Sequence, residues 1–400
     1  MAEQCGALGY FDDARRAATG TLLVERAMAT GSLVIRKLGA TRGEELAIPR
    51  FRLAPSVTCT EMLQTLAART QAAAAGRRIV VAQDTTESNF SGRQANRRGL
   101  GPAGDGVSAG FFIHPLIAID SETGAVLGPL DADIWTRDGK VAADGKRAFE
   151  DKESIRWLPG AERAAELLTQ AASVVVVGEP GRITTVALRA GPVTFKKPTT
   201  GFAKTDPKTV TMTLVEAKAV DPRAGEKPVH WRLLTTIAVD DAAGACEIVR
   251  LYRLRWRIEE VFRALKSDGM RLEETQVHAA GRLFKLAVVG LVAACRTIQL
   301  VDARDASPRP ATDVIDPALL PAAEAIGATL EGKTEWQKNH HPLHSLAWLA
   351  WIAAGLGGWN CYYRPPGPKT MRAGWGKFET MAGGFRIATE SRGGSIVRIP

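Results

Sequence analysis

From Arg77 onward the chain changes texture: RRIVVAQDTT is a short apolar, β-branched run that ends in an acid, the pattern of a buried strand. The stretch FFIHPLIAIDSETGAVLGPLDADIWTR holds two apolar segments joined at Glu122 to Gly124, which predicts an antiparallel hairpin. A helix is expected around Ala161 to Ala171, followed by a second buried strand in SVVVVGEPG. From Ile183 to Asp240 short β-patterned segments are broken by Pro and Gly, and a long helix is expected from Ala245 to Lys266. The remainder is helical, with breaks at Pro308 to Pro310 and Pro365 to Pro368. Ahead of Arg77 the pattern is also helical, with Arg15, Arg16, Arg36, Lys37, Arg42, Arg50 and Arg52 in or near the turns. The class is therefore α/β: a sheet core with a β insertion, flanked by helical N-terminal and C-terminal regions. No internal repeat or low-complexity tract interrupts it.

The segment LYRLRWRIEEVFRALKSDG carries the sharpest pattern. At about 100° per residue, Tyr252, Arg255, Glu259 and Lys266 fall within an arc of roughly 60°. Leu251, Leu254, Ile258, Val261, Phe262 and Leu265 fall opposite, so one face packs on a core while the other is presented. An ordinary solvated face with an i,i+4 pair between Arg255 and Glu259 would show the same charge periodicity.

Composition narrows the partners. The 400 residues exceed what one small core needs and suggest two or three folding units. The 52 Lys plus Arg against 43 acidic residues give a formal charge of +9, which favours an anionic partner, nucleic acid or an acidic membrane surface. The apolar runs Leu286 to Cys295 and Leu346 to Leu356 are shorter than the roughly 18 residues that a bilayer span requires, so the membrane alternative weakens. Cys5, Cys59, Cys246, Cys295 and Cys361 are scattered without a C-x-x-C pair or a leader ahead of them, as in reduced cytosolic thiols.

The order Tyr252-x2-Arg255-x3-Glu259-x6-Lys266 is more specific than charge periodicity and matches a Y-R-E-K signature. On it the chain resembles the bacterial insertion-sequence transposases of the insertion sequence four family, DDE enzymes with a ribonuclease-H-like mixed sheet core. These enzymes cut DNA with two aspartates and a glutamate. VVAQDTTESNFSG is similar to the family's first catalytic strand, which implies Asp84 as the first metal ligand, alongside Glu259. FFIHPLIAID, DKESIRWL and GEKPVHWRLLTT also resemble family blocks. Trp231, 21 positions before Tyr252, matches the tryptophan that stacks on a flipped base. The run HPLHSLAWLAWIAAGLGGWNCYYRPPGPKTMRAGW resembles the dimerisation segment.

The resemblance implies a helical DNA-binding domain over 1–77, a catalytic domain over 78–300 with a shortened β insertion near 180–243, and a helical dimerisation segment over 301–400. It implies cut-and-paste transposition by two Mg²⁺ or Mn²⁺ ions about 3.5 to 4 Å apart, for which carboxylates are suited ligands. Arg255 and Lys266 would grip backbone phosphates, and Tyr252 would hydrogen-bond one. The partners implied are double-stranded DNA at transposon ends and a second copy of the chain in the DNA complex, in the bacterial cytoplasm at the nucleoid, with no membrane.

The sequence departs from the family at the second aspartate. After SVVVV the expected place is held by Glu179, followed by Pro180 and Gly181, so Glu179 is the candidate third ligand. A glutamate is one methylene longer than an aspartate, and a two-metal site is exacting about geometry. A catalytically defective remnant that still binds DNA and dimerises is therefore the alternative. A ribonuclease-H-like host nuclease is disfavoured by the signature helix and the C-terminal run. Of the remaining candidates, His340, His341 and His344 lack a nearby carboxylate or cysteine and read as surface or interface residues. Trp348, Trp351 and Trp359 read as core or interface, and His114 as a hydrogen-bonded core residue.

Overall fold

The computed structural model describes residues 6–90, 97–137, 156–168, 186–197, 205, 207–220, 225, 228–266 and 270–393. Four helices open the chain: α1 (Ala14–Thr30), α2 (Ile35–Leu38), α3 (Arg42–Leu53) and α4 (Cys59–Ala74). Their starts follow from their caps. Asp13, Thr41 and Thr58 each accept a backbone N–H from the first turn of the helix that follows, a contact worth about 1 kcal/mol. The Glu61 carboxylate, three residues after the Thr58 cap, accepts from the Phe11 and Tyr10 N–H groups and so ties α4 to the start of the chain.

The main sheet is antiparallel and is built around one long strand. β1 (Ile79–Gln83), β2 (Thr86–Phe90), β3 (Gly101–Pro102), β4 (Ala109–Asp120) and β5 (Val126–Trp135) all pair with β4 or are β4 itself. β4 and β5 form the expected hairpin, with Gly124 at φ 72° in its turn, a conformation that glycine adopts at little cost. β1 is buried at every position, as its unbroken apolar run requires. One face of the sheet packs Ile79, Val81, Leu116 and Ala118 against α5 (Trp157–Leu168). The other packs Val80, Ala82, Ile113 and Ile117 into the large helical core.

Residues 186–235 hold a second antiparallel sheet of three strands, β6 (Val186–Lys196), β7 (Thr209–Ala219) and β8 (His230–Thr235), in sequential order. Val215, Leu233 and Trp231 pack on α6 (Ala242–Leu254), which α7 (Arg257–Leu265) follows. The single helix expected over Ala245 to Lys266 is thus two helices. At Arg255 and Trp256 the hydrogen bonds tighten to i→i−3 spacing, Arg255 N–H to Tyr252 O and Trp256 N–H to Arg253 O. No Gly or Pro marks this break. It falls where Arg255 and Arg257, two residues apart, are anchored to separate elements: Arg255 to Asp84, and Arg257 to Asp302.

The remaining helices are α8 (Ala280–Ala303), α9 (Leu320–Leu330), α10 (Leu346–Leu356) and α11 (Pro368–Gly393). α8 is the centre of the molecule, touching α1, α4, α7, α10, α11 and β5. It is long and apolar enough to cross a membrane, yet 83% of that stretch is buried inside the protein, so packing accounts for its hydrophobicity. Each fully buried aliphatic side chain along it, such as Leu286, Val288 and Leu291, contributes roughly 1.5–3 kcal/mol. Residues from Ala7 to Ala382 share this one core, so α1 packs against both α8 and α11. Trp348 and Trp351 are buried in it at 5% and 7% exposure. Gly374 lets α11 approach α10: a Cβ there would stand 1.6 Å from the Ala353 carbonyl oxygen.

Candidate functional site

Asp84 directly follows β1. The outer edge of the sheet keeps one register on both sides of it, Gln83 opposite Leu116 and Thr86 opposite Ile113. Carried through, that register would set Asp84 against Pro115 and Thr85 against His114. Pro115 brings no N–H to either neighbouring strand, and the outer strand is interrupted opposite it. Asp84 therefore sits at a fixed gap between β1 and β2, with its side chain 20% exposed.

Four groups hold this corner. The Thr85 N–H donates to Asp84 Oδ1 at 2.8 Å. The Thr85 hydroxyl lies 2.8 Å from His114 Nδ1, and His114 Nε2 lies 3.2 Å from Gln83 Oε1. The Gln83 amide nitrogen donates to the Trp157 carbonyl at 3.1 Å, which leaves Gln83 Oε1 as an acceptor. His114 then carries its proton on Nε2 and accepts the Thr85 hydroxyl at Nδ1, a neutral imidazole with both nitrogens used. Burial holds the His114 pKa below its ordinary value, with Arg163 and Arg156 pushing the same way and Asp133 and Asp84 opposing. His114 is fully buried against the Trp157 ring, the hydrogen-bonded core position expected of it.

The signature segment meets Asp84 from the other side. Arg255, at the junction of α6 and α7, forms an ion pair with Asp84 Oδ2 across 171 positions of sequence. Glu259 lies in the first turn of α7, half-buried, four positions and so about 6 Å of helix rise beyond Arg255. α7 is seated by Ile258, Val261, Phe262 and Leu265, all buried, and by Arg257, which pairs with Glu260 and with Asp302 on α8. The apolar face of the segment is the one the periodicity predicts.

Around the tighter junction Tyr252, Arg255 and Lys266 face separate neighbours. The Tyr252 ring packs against the Trp231 ring of β8, centroids 5.3 Å apart, in the small cluster with Ile248 and Leu233. Lys266 follows the last residue of α7 with φ −100° and ψ −97° and lines a recess with Arg271, Glu273 and Glu274. Burial raises the Glu273 pKa and Lys266 counters it.

Asp84 and Glu259 are oxygen donors only, the ligand type that suits Mg²⁺ and Mn²⁺. Glu179 lies outside the described residues, as do the segment SVVVV, expected as a strand, and most of the DKESIRWL block. Among the described residues no three His, Cys, Asp or Glu side chains gather to hold a metal ion. His340 bonds to the Glu335 carbonyl and His344 to Glu324, both at the surface. Sequence reasoning did not reach the Gln83 and His114 supports, whose only signal is their place beside Asp84 and in the facing strand.

The second sheet, α6, α7 and the first part of α8 together carry Trp231, Tyr252, Arg255, Glu259 and Lys266, while Asp84 and Glu179 precede them. This stretch, residues 183–295, matches the family model described as the transposase DDE domain, and the match supports a DDE transposase.

Proposed function

We propose that the protein is a metal-dependent DNA transposase of the insertion sequence four type, which recognises the ends of its element, cuts the phosphodiester bonds there and joins the ends to new DNA. One observation carries this reading: Asp84, which lies outside the matched stretch, is paired with Arg255 of the signature segment inside it. Two motifs that each resemble the same enzymes by sequence thus meet at one place. In this reading the β1 to β5 sheet with α7 and α8 is a ribonuclease-H-like core, and the chain acts as a homodimer on paired ends in the bacterial cytoplasm.

Asp84, Glu259 and Glu179 would hold two Mg²⁺ or Mn²⁺ ions, which supply an activated hydroxyl and stabilise the leaving oxygen. Arg255 holds Asp84 Oδ2 in the free protein and turns to a backbone phosphate when DNA enters. Thr85 and His114 fix the Asp84 carboxylate from behind throughout. Trp231 and Tyr252 offer one aromatic surface for a base displaced beside the cut.

A second reading, a DNA-binding and dimerising protein that has lost cleavage, is favoured by the state of Asp84. Both of its oxygens are engaged by protein donors, Thr85 N–H and Arg255. Incubating the protein and Mn²⁺ with DNA that carries the gene and its flanks separates the two. The first reading expects cleavage at the element ends that Glu259→Ala and Glu179→Gln abolish while DNA affinity is kept. Binding without cleavage establishes the second reading, and no DNA binding overturns both.

A further inference from the structure

The start of α8 lies against the end of α3, and the cationic side chains Arg52, Arg282 and Lys285 meet there together with Cys59. Arg282 and Lys285 are three positions apart and so share one face of α8. Lys285 Nζ donates to the Arg52 and Ala54 carbonyls at 3.0 and 3.2 Å, which brings Arg52 of α3 to the same place. Arg52 is only 9% exposed, and its Nε has no hydrogen-bond partner. Arg282 is exposed, as is Gly281 beside it, where a first-turn amide has no acceptor within the helix. Ala279 caps α8 without a side-chain bond. The exposed Arg98 reaches the same turn, its carbonyl accepting the Ala280 N–H.

Packing three cations together costs free energy unless an anion joins them. Burial and Arg282 lower the Arg52 pKa to about 10. Burial lowers that of Lys285, with Arg282 and Arg52 adding to the effect and Cys59 opposing it. A helix N-terminus adds positive potential to the same place.

We propose that Arg52, Arg282 and Lys285, with the first turn of α8, form a binding site for a backbone phosphate of DNA, separate from the corner at Asp84. The site rests on the reading of the protein as a DNA transposase and adds to it a contact that joins the N-terminal helices to α8. Its effect is to fix duplex DNA against both at once, so that end binding and the placement of the cut are coupled through one rigid helix.

The test measures how the affinity for a 20-base-pair duplex changes with salt, comparing wild type, Arg282→Ala, Arg52→Met and Lys338→Ala. Lys338 is an exposed lysine paired with Glu335, and it controls for the loss of one charge. Arg282→Ala and Arg52→Met are expected to bind about tenfold more weakly near 0.1 M salt, each with a salt slope smaller by about 0.9. Lys338→Ala should keep the wild-type slope. Because Arg52→Met removes a buried cation from a like-charged group, its Tm should equal or exceed that of wild type while DNA binding falls. Wild-type binding with unchanged slopes in both site variants overturns the phosphate site and leaves the transposase reading standing, as does an equal drop for Lys338→Ala. A wild-type protein that binds no duplex overturns the transposase reading and this site with it.

Discussion

Replacing Arg255 with Met isolates the contact on which the candidate site depends. The side chains of Arg255 and Asp84 are 26% and 20% exposed, so the pair stands between an open surface pair and a buried one. Exposed pairs contribute about 0.2–1 kcal/mol, and removing one partner of a fully buried pair costs about 3–5 kcal/mol. At this exposure the coupling between Arg255 and Asp84 should be about 1–2 kcal/mol. A double-mutant cycle of Arg255→Met and Asp84→Asn, read by urea unfolding in the presence of a chelator, measures it directly. The single variant Arg255→Met leaves Asp84 Oδ2 without its partner, so Mn²⁺ should raise the Tm of this variant more than that of wild type. A coupling energy below about 0.3 kcal/mol, with equal Mn²⁺ effects on variant and wild type, would refute the claim that Arg255 guards the carboxylate.

Two further outcomes follow from the packing. Because His114 has a folded-state pKa below its unfolded value near 6.5, its contribution to stability is fully present above that value and is lost as the pH falls through it. Wild-type stability should therefore decline from pH 7 to pH 5, and a shallower decline in His114→Gln, followed by denaturant titration at each pH, checks the assignment. Gly374→Ala should cost about 3 kcal/mol or more in thermal unfolding, since its Cβ would meet the Ala353 carbonyl at 1.6 Å and separate α11 from α10; a loss under about 0.5 kcal/mol would contradict the close approach.

Part of the fold around the candidate site was legible because its signals are local. The unbroken run Ile79 to Gln83 with an acid after it reads as a buried strand that ends in a polar group, and the structure has that strand. The apolar stripe from Leu251 to Leu265 likewise marks which side of the segment is buried. The break at Arg255 and Trp256 was not legible, because neither residue disfavours a helix and the partners that anchor Arg255 and Arg257, Asp84 and Asp302, are distant in sequence. The same holds for α1 against α8 and α11, where the Arg-bearing helices at the start of the chain share a core with its end. Such contacts depend on which apolar faces meet, and periodicity within one segment does not encode that. The support of Asp84 by His114 escaped for a related reason: a histidine in an apolar strand gains its meaning only from Gln83 and Thr85 across the ladder.

The central claim is that Asp84 and Glu259 belong to one divalent-ion site. Crystals of the protein soaked in Mn²⁺ test it most directly through the anomalous signal of the metal. A peak is expected within roughly 2.0–2.6 Å of carboxylate oxygens from both Asp84 and Glu259, with Arg255 displaced from Asp84. Carboxyl carbons of Asp84 and Glu259 more than about 10 Å apart, or a Mn²⁺ peak that touches neither residue, would contradict it.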